Sequence, residues 1–386
     1  MTIPGASSPT SSRLPIVDIL RGFALIGVLF ANFTAYTDQQ VPTEILDSIS
    51  NSTDRALMAF NSVFVEFKFV TIFSVLFGYS FGLFMDSAAK KTINTRLPFF
   101  RRMLSLFVIG VIHTMFWWFD VLHIYAICGL FLLAFRKASP TALIIWAIIL
   151  IFFIPFVYSF ITRNHKEPLS NNDWHQIYMT FKSGDVLQLI KANITGYWRL
   201  FILSGANIYY FAEVLGKFLL GYFLFRTQAF DAITTKKVTV KKIAIVCGSI
   251  SILYFVTRFY ALKNSEELDV YYIEPFIKLG VLATSGLYAS LLILVYISKP
   301  GGKVFNILQS LGRMTLTNYL LISCAMIFLL YGIGFGLLGE VPITIIWSVA
   351  LAWLFFEIVV SSWWLRNYKY GPVEGLWRKL TWGFDS

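Results

Sequence analysis

The stretch LPIVDILRGFALIGVLFANFTAY, residues 14–36, decides what kind of protein this is. Its charged residues are Asp18 and Arg21, and the remainder is almost wholly apolar. A helix rises 1.5 Å per residue and needs about 20 apolar residues to cross roughly 30 Å of hydrocarbon, and this stretch meets that length. It is too long for a signal-peptide core, and no small-residue cleavage site follows it. It is therefore expected to stay attached as the first transmembrane helix, behind a short polar tail (1–13) read as disordered.

Nine further apolar runs follow, at roughly 67–86, 101–118, 121–136, 140–162, 200–225, 242–261, 276–298, 312–332 and 341–365. The chain has 386 residues, of which 57% are hydrophobic, 18% aromatic and 14% charged. That composition leaves too little polar surface to keep such runs away from water in a soluble protein. The expected fold is all-α, a polytopic membrane protein of ten helices. The third and fourth runs are separated by Phe119-Asp120 alone, so they are expected to form a tight hairpin or a partly re-entrant pair.

The net charge of +11 is gathered in the gaps between runs. One block holds Lys90, Lys91, Arg96, Arg101 and Arg102, and another holds Arg226, Lys236, Lys237, Lys241 and Lys242. Smaller groups are Arg136 with Lys137, Lys299 with Lys303 and Arg313, and Arg366 through Lys379. These fall in alternate gaps, as cytoplasmic loops do under the positive-inside rule. Acidic gaps with Glu44, Asp47 and Asp54, and with Glu266, Glu267, Asp269 and Glu274, read as external. Both termini are then cytoplasmic. Nucleic acid is excluded as a partner, because no basic soluble surface remains to bind it.

The membrane part divides into 14–199, five helices plus an external loop at 163–199, and a C-terminal half at 200–386. The loop carries Pro168, an Asn-Asn-Asp turn at Asn171–Asp173, and an amphipathic stretch over 185–200 expected to cap the external mouth as an interfacial helix. Gly78 and Gly82 form a small-residue face suited to close helix contact. Cys128, Cys247 and Cys324 lie inside apolar runs without paired spacing, and the four histidines form no ligand cluster, so neither a disulfide framework nor a metal site is indicated. Gly334-Phe-Gly336-Leu-Leu-Gly339 has the spacing of a nucleotide fingerprint but follows no strand.

Ionisable groups in hydrocarbon cost about 2.5–3.5 kcal/mol each on insertion scales, so each calls for a reason. Asp18, Arg21 and Asn32 share one helix face at 100° per residue. They read either as a buried ion pair that fixes packing or as a cation placed to receive a phosphate or carboxylate. His113, Asp120 and Tyr125 cluster around the hairpin, with His123 beside them, and an Asp can orient an imidazole as a general base. The neighbouring Trp117 and Trp118 read as an interfacial belt. Glu213 and Lys217 stand in the favourable Glu-before-Lys order four apart. Glu357 has no partner in its own helix on this reading, and Arg258 sits where it can snorkel outward.

Four motifs resemble one family. Asp18-Ile-Leu-Arg21-Gly22 with Asn32, and Ile109-Gly-Val-Ile-His113 followed by Asp120-Val-Leu-His-Ile-Tyr125, are similar to the opening signatures of the YeiB-like membrane proteins, a family of unknown function also labelled as transport proteins. Gly312-Arg313-Met-Thr-Leu-Thr-Asn318-Tyr319 and Gly371-Pro372-Val-Glu374-Gly-Leu-Trp377-Arg378 resemble its C-terminal hallmarks. The Asp-x-x-Arg-Gly opening is further similar to membrane acyltransferases, including those that decorate surface sugars and the heparan glucosaminide acetyltransferase type. The sugar-decorating group carries a histidine where this chain has Asn32; the heparan type has Asn there and its working histidine in the next loop. Here no histidine stands between Asn32 and His113.

The resemblance implies an acyltransferase-like protein of the cell (inner) membrane. A cytoplasmic acyl-CoA such as acetyl-CoA, a substrate rather than a covalently bound cofactor, would enter near Arg21. A sugar or lipid-linked glycan acceptor would approach from outside. His113 would be the base, oriented by Asp120, with Tyr125 and Asn32 as hydrogen-bond partners. The alternative is a proton-coupled small-molecule transporter using His113, Glu213 and Glu357, for which broken helices at the midplane would be expected; the sequence shows no pair of interrupted spans in matching positions.

Overall fold

The computed structural model describes residues 14–162, 169–231, 233–264 and 270–383. The expected disordered tail (1–13), Pro168, and the acidic Glu266, Glu267 and Asp269 lie outside them. The described residues are helical and contain no strand. The first helices are α1 (Pro15–Asp38), α2 (Thr43–Ile49), α3 (Ser52–Phe60), α4 (Lys68–Ala89), α5 (Arg96–Thr114) and α6 (Leu122–Leu132). Then come α7 (Pro140–Ile148), α8 (Ile154–Thr162), α9 (Asn171–Lys182), α10 (Val186–Tyr197) and α11 (Ala206–Arg226). The last are α12 (Lys237–Asn264), α13 (Val270–Ser298), α14 (Lys303–Arg313), α15 (Thr315–Leu330), α16 (Ile343–Asn367) and α17 (Pro372–Trp382).

Among the described residues, eight helices have the length and apolarity to cross a bilayer. The other two expected spans depart from a plain crossing. The fourth is α6, whose eleven residues rise only about 16 Å. The ninth is not one helix, because α14 and α15 meet at 78° around Met314. The freed backbone at this break is satisfied by Glu374, whose carboxylate accepts from the backbone N–H of Leu316 (2.7 Å) and Thr317 (3.0 Å) and from the Thr317 hydroxyl (2.6 Å). Hydrocarbon tolerates a helix break only with such replacement partners.

A second interruption precedes α4. A wide π turn over Asn61–Val65 ends at Phe67, which has a left-handed φ of 62°. The Lys68 ammonium, 1% exposed, donates to the Ser62 carbonyl at 2.7 Å. The Arg258 guanidinium reaches the Ser62 hydroxyl at 2.7 Å, so Arg258 turns inward instead of snorkelling outward. Two cations thus meet the carbonyl end of an interrupted helix, the end where positive charge is favourable. Interrupted helices are present after all, although hydropathy alone does not show them.

α1 is the most enclosed span, with 67% of its apolar window buried against 17% for α7–α8 and for α12. It touches α14 backbone to backbone: a Cβ on Gly22 would lie 1.8 Å from the Leu308 carbonyl oxygen, and one on Gly312 would lie 1.8 Å from that of Asp18. α4 and α11 cross in the same way through Gly78 and Gly221, while Gly82 accommodates the Phe225 ring. The small-residue face expected from Gly78 and Gly82 is therefore a helix contact.

Above the α5–α6 hairpin lie α9 and α10. Asn171–Asp173 is not a turn but the first turn of α9, because Ser170 and Asp173 cap each other reciprocally. Trp117 and Trp118 are not a belt either; they are 1% and 0% exposed. The Trp117 ring stacks on Tyr36 at 3.6 Å, and Trp118 packs against Phe181 and over Gly196. The Trp118 amide donates to the Asn193 side chain at 3.1 Å. Tyr36 of α1 covers the first ring and α9 with α10 the second, which leaves neither exposed to lipid.

Orientation is tested by cysteine labelling in a background lacking the three natural cysteines. A cysteine placed at Asn171 should react with an impermeant reagent added outside, and one placed at Lys237 should not; the reverse pattern would overturn the assigned sidedness. Gly312→Ala should lower the thermal midpoint in detergent, because overpacking costs about 1–3 kcal/mol and here the obstacle is backbone. An unchanged midpoint would show that α1 and α14 can separate freely.

Candidate functional site

α5 delivers His113 to its last turn, and a tight loop brings Asp120 back beneath it. The Trp117 amide bonds to the His113 carbonyl (2.9 Å) and the Asp120 amide to the Trp117 carbonyl (3.2 Å). Gly110 makes room for the return, since a Cβ there would meet the His123 amide nitrogen at 2.4 Å. The Asp120 carboxylate then lies between two imidazoles. His113 Nδ1 is 2.7 Å from Oδ1, and His123 Nδ1 is 2.8 Å from Oδ2, which also accepts from the His123 amide at 3.1 Å. His113, Asp120 and His123 are 7%, 3% and 6% exposed.

These bonds determine the tautomers. An ionised Asp120 only accepts, so both Nδ1 atoms carry hydrogen, and in the neutral form of each ring the lone pair is then on Nε2. His123 Nε2 accepts from the Tyr197 hydroxyl at 2.8 Å, which in turn accepts from the Asn207 amide at 2.9 Å. His113 Nε2 is buried and has no hydrogen-bond partner among the described residues. A neutral imidazole with a carboxylate behind Nδ1 and an unoccupied Nε2 has the form of a general base.

A cavity of about 380 Å³ leads toward this cluster between α1, α4, α5, α6, α14–α15 and α17. Its Lys/Arg-rich end holds Arg21, Lys91, Arg102, Arg313 and Arg378. Its middle is apolar, with Phe73, Phe77, Phe81 and Leu106, and it ends at Val121, Tyr125 and Tyr319. Arg102 and His113 are eleven residues apart on α5, about 16 Å by helical rise. Tyr319 connects cavity and base: its ring lies 5.3 Å from that of His113, and its hydroxyl donates to Asp120 Oδ1 at 3.4 Å.

The sequence-predicted residues are only partly brought together. His113 and Asp120 meet. Tyr125 does not bond to His113; its hydroxyl pairs with Ser74 (2.6 Å) and it lines the end of the cavity. Arg21 pairs with Asp18 at 3.0 Å and with Ser80, and faces the cavity. Asn32 does not line the cavity; it stands one turn below Tyr36 with its amide nitrogen buried and unpartnered. Arg313 donates to the Lys369 carbonyl at 2.9 Å, and Asn318 bonds to Ser361 at 3.0 Å.

Glu213 bonds to Lys217 at 2.5 Å and to Lys278 at 2.8 Å, and Lys278 also reaches Glu274 at 3.5 Å. Glu357 does have a partner in its own helix, the Trp353 indole at 3.1 Å. His113, Glu213 and Glu357 thus belong to three separate hydrogen-bond groups. Sequence reasoning missed Lys278, which comes from a different helix, and gave no role to Tyr319 or Tyr197. The sole signal for Tyr319 was its place in the Gly312–Tyr319 motif.

The class follows first. This helical multi-pass membrane protein has an acyltransferase-like region, since residues 13–185 match the catalytic region of heparan-alpha-glucosaminide N-acetyltransferase. Residues 224–384 match a protein family of unknown function, DUF418. These matches agree with the four motifs in supporting a likeness of the chain to the YeiB-like DUF418 proteins, with similarity to the heparan acetyltransferase type. Its relatives include the uncharacterized YxaH of Bacillus subtilis (strain 168), 28% identical across 96% of this chain and 95% of the relative. An uncharacterized 39.9 kDa protein of Bacillus acidopullulyticus is 29% identical across 96% and 94%, and the uncharacterized YeiB of Escherichia coli (strain K12) 24% across 95% of each. No solved structure matches the chain.

Asp120→Ala tests the cluster as a structural unit. It strands two buried Nδ1–H donors at about 1–3 kcal/mol each. The thermal midpoint in detergent should fall by several degrees, and an unchanged midpoint would mean that water already serves these groups.

Proposed function

We propose that the protein is a membrane-embedded acyltransferase that moves an acyl group, such as acetyl, from acyl-CoA to a sugar or glycan acceptor. The donor enters at the Lys/Arg-rich, cytoplasmic end, and the acceptor comes from the opposite side of the cell (inner) membrane. The observation that carries this reading is the cavity that runs from five cations to Tyr319, whose ring packs against His113, a buried imidazole with no partner at Nε2 among the described residues. Phosphates suit the mouth, and a slim thioester arm suits the apolar middle.

In the reaction the acceptor hydroxyl gives its proton to His113 Nε2 as its oxygen attacks the thioester carbonyl. The carbon–sulfur bond then breaks, and the thiolate leaves with the proton returned by the imidazolium. Asp120 holds the ring and stabilises its charged form. His123 positions Asp120 from behind through its second oxygen, and Tyr197 in turn holds His123 at Nε2. The unpartnered amide nitrogen of Asn32 is available to an acceptor oxygen.

The transporter reading has less support, because among the described residues no hydrogen bond joins His113, Glu213 and Glu357 into a path. His113→Gln should fold with a near-normal thermal midpoint and lose about 10²–10⁴-fold in thiol release from acetyl-CoA in the presence of acceptor, the usual loss with a general base. A variant with full transfer would remove His113 from the chemistry. A wild type that neither binds nor turns over any acyl-CoA would sink the enzyme reading itself.

A further inference from the structure

The mouth of the cavity is built in large part by α17, in the region matched to a family of unknown function and outside the acetyltransferase-like region. Three of its cations rest on aromatic rings. The Arg102 guanidinium lies 3.5 Å from the Trp377 ring centre, Lys91 Nζ lies 4.7 Å from that of Trp382, and the Arg378 guanidinium lies 5.1 Å from that of Tyr370. Among the described residues, no ion pair joins Lys91, Arg102 or Arg378 to a carboxylate. A cation lying on a π face is partly desolvated, while its N–H edges point away from the ring and remain free for an anion.

Among the described residues, the local acids neutralise this mouth only at Arg21. Asp18 serves Arg21, and Glu374 is turned onto the first amides of α15. Glu374 also anchors α17 to the rest of the protein, and the Trp377 indole donates to the Arg102 carbonyl at 2.8 Å. Trp377 and Arg378 are thereby held at the rim, with their rings and charges toward the opening.

We propose that α17 is a phosphate clamp that holds the phosphorylated nucleotide end of the donor, with Arg378, Arg102 and Lys91 on its phosphates. This rests on the acyl-CoA reading above and names which end of the donor the C-terminal region recognises. Coenzyme A carries a pyrophosphate and a 3′-phosphomonoester, about four negative charges in all. A five-cation mouth suits that polyanion better than the single charge of a phosphodiester headgroup. The rings of Tyr370, Trp377 and Trp382 also offer surface to a flat base, which a lipid headgroup lacks. An anionic lipid shares the phosphate chemistry, so the test separates the two.

The full-length protein is placed in phosphatidylcholine nanodiscs and titrated with acetyl-CoA, acetyl-dephospho-CoA and S-acetylpantetheine, read by thermophoresis. Acetyl-CoA should bind about tenfold or more tighter than the form without the 3′-phosphate, as expected for a charge-assisted bond. Arg378→Gln should weaken acetyl-CoA more than acetyl-dephospho-CoA, shrinking that difference, while leaving S-acetylpantetheine binding and the thermal midpoint unchanged, and Lys91→Gln provides a second, exposed variant. If all three ligands bind alike, or Arg378→Gln weakens them equally, the clamp is overturned and the acyl-CoA reading stands. If phosphatidylglycerol added to the discs displaces acetyl-CoA, the mouth is a lipid site and the clamp is overturned. If no CoA ester binds at all, the donor reading fails and the clamp fails with it.

Discussion

The contact between α1 and α14 is the constraint on which the site depends. Two backbones can approach this closely only where neither carries a side chain at the crossing, and Gly22 and Gly312 meet that condition from opposite sides. In hydrocarbon there is little hydrophobic drive between helices, so close van der Waals contact of this kind does much of the holding. The crossing also places function. Arg21 is next to Gly22 and Arg313 is next to Gly312, so one contact brings a cation from each half of the chain to the same cavity rim. Any residue larger than glycine would push the two apart.

A second constraint is the lack of water within the bilayer, which obliges each polar group to find a partner inside the protein. Most do. Glu374 serves the α14–α15 break, Lys68 serves the carbonyl end before α4, and Asp120 serves two imidazoles. Among the described residues the exceptions include His113 Nε2 and the Asn32 amide nitrogen, together with the Tyr36 and Ser323 hydroxyls and the Trp118 indole nitrogen, several of them near the hairpin. Buried polar atoms left without partners are costly, and sites that bind substrate are where such cost is usefully kept.

Hydropathy made the helical membrane fold legible, since each of the ten apolar runs appears as helix. It failed where a helix bends or stops early. Nothing in 312–332 announces the break at Met314, because the carboxylate that satisfies its freed amides is Glu374, far downstream in α17. Trp117 and Trp118 were misread for a related reason: an aromatic pair near a helix end has the same local appearance whether lipid or a covering helix lies above it. The approach of His113 to Asp120 could be anticipated from their spacing, but the second histidine's share in the carboxylate could not. Tyr125 and Glu357 show the reverse failure, since their true partners, Ser74 and Trp353, carry no charge to attract notice. Lys278 and Tyr319 enter their clusters from distant helices, a kind of proximity that one sequence does not display.

The short α5–α6 hairpin has a consequence for the surrounding lipid. Its outward side chains run from Leu97 to Ile112, about 22 Å by helical rise, and these two residues are 46% and 53% exposed. The neighbouring hydrocarbon is nearer 30 Å thick. Lipids beside the hairpin must therefore compress, or α10 with its exposed Leu187 and Ile194 must sink into the acyl boundary to fill the difference. In either case the cover over the His–Asp–His cluster bears on the bilayer itself. Acyl-chain length then becomes a mechanical load on that cover, tightening or lifting it as the membrane thins or thickens.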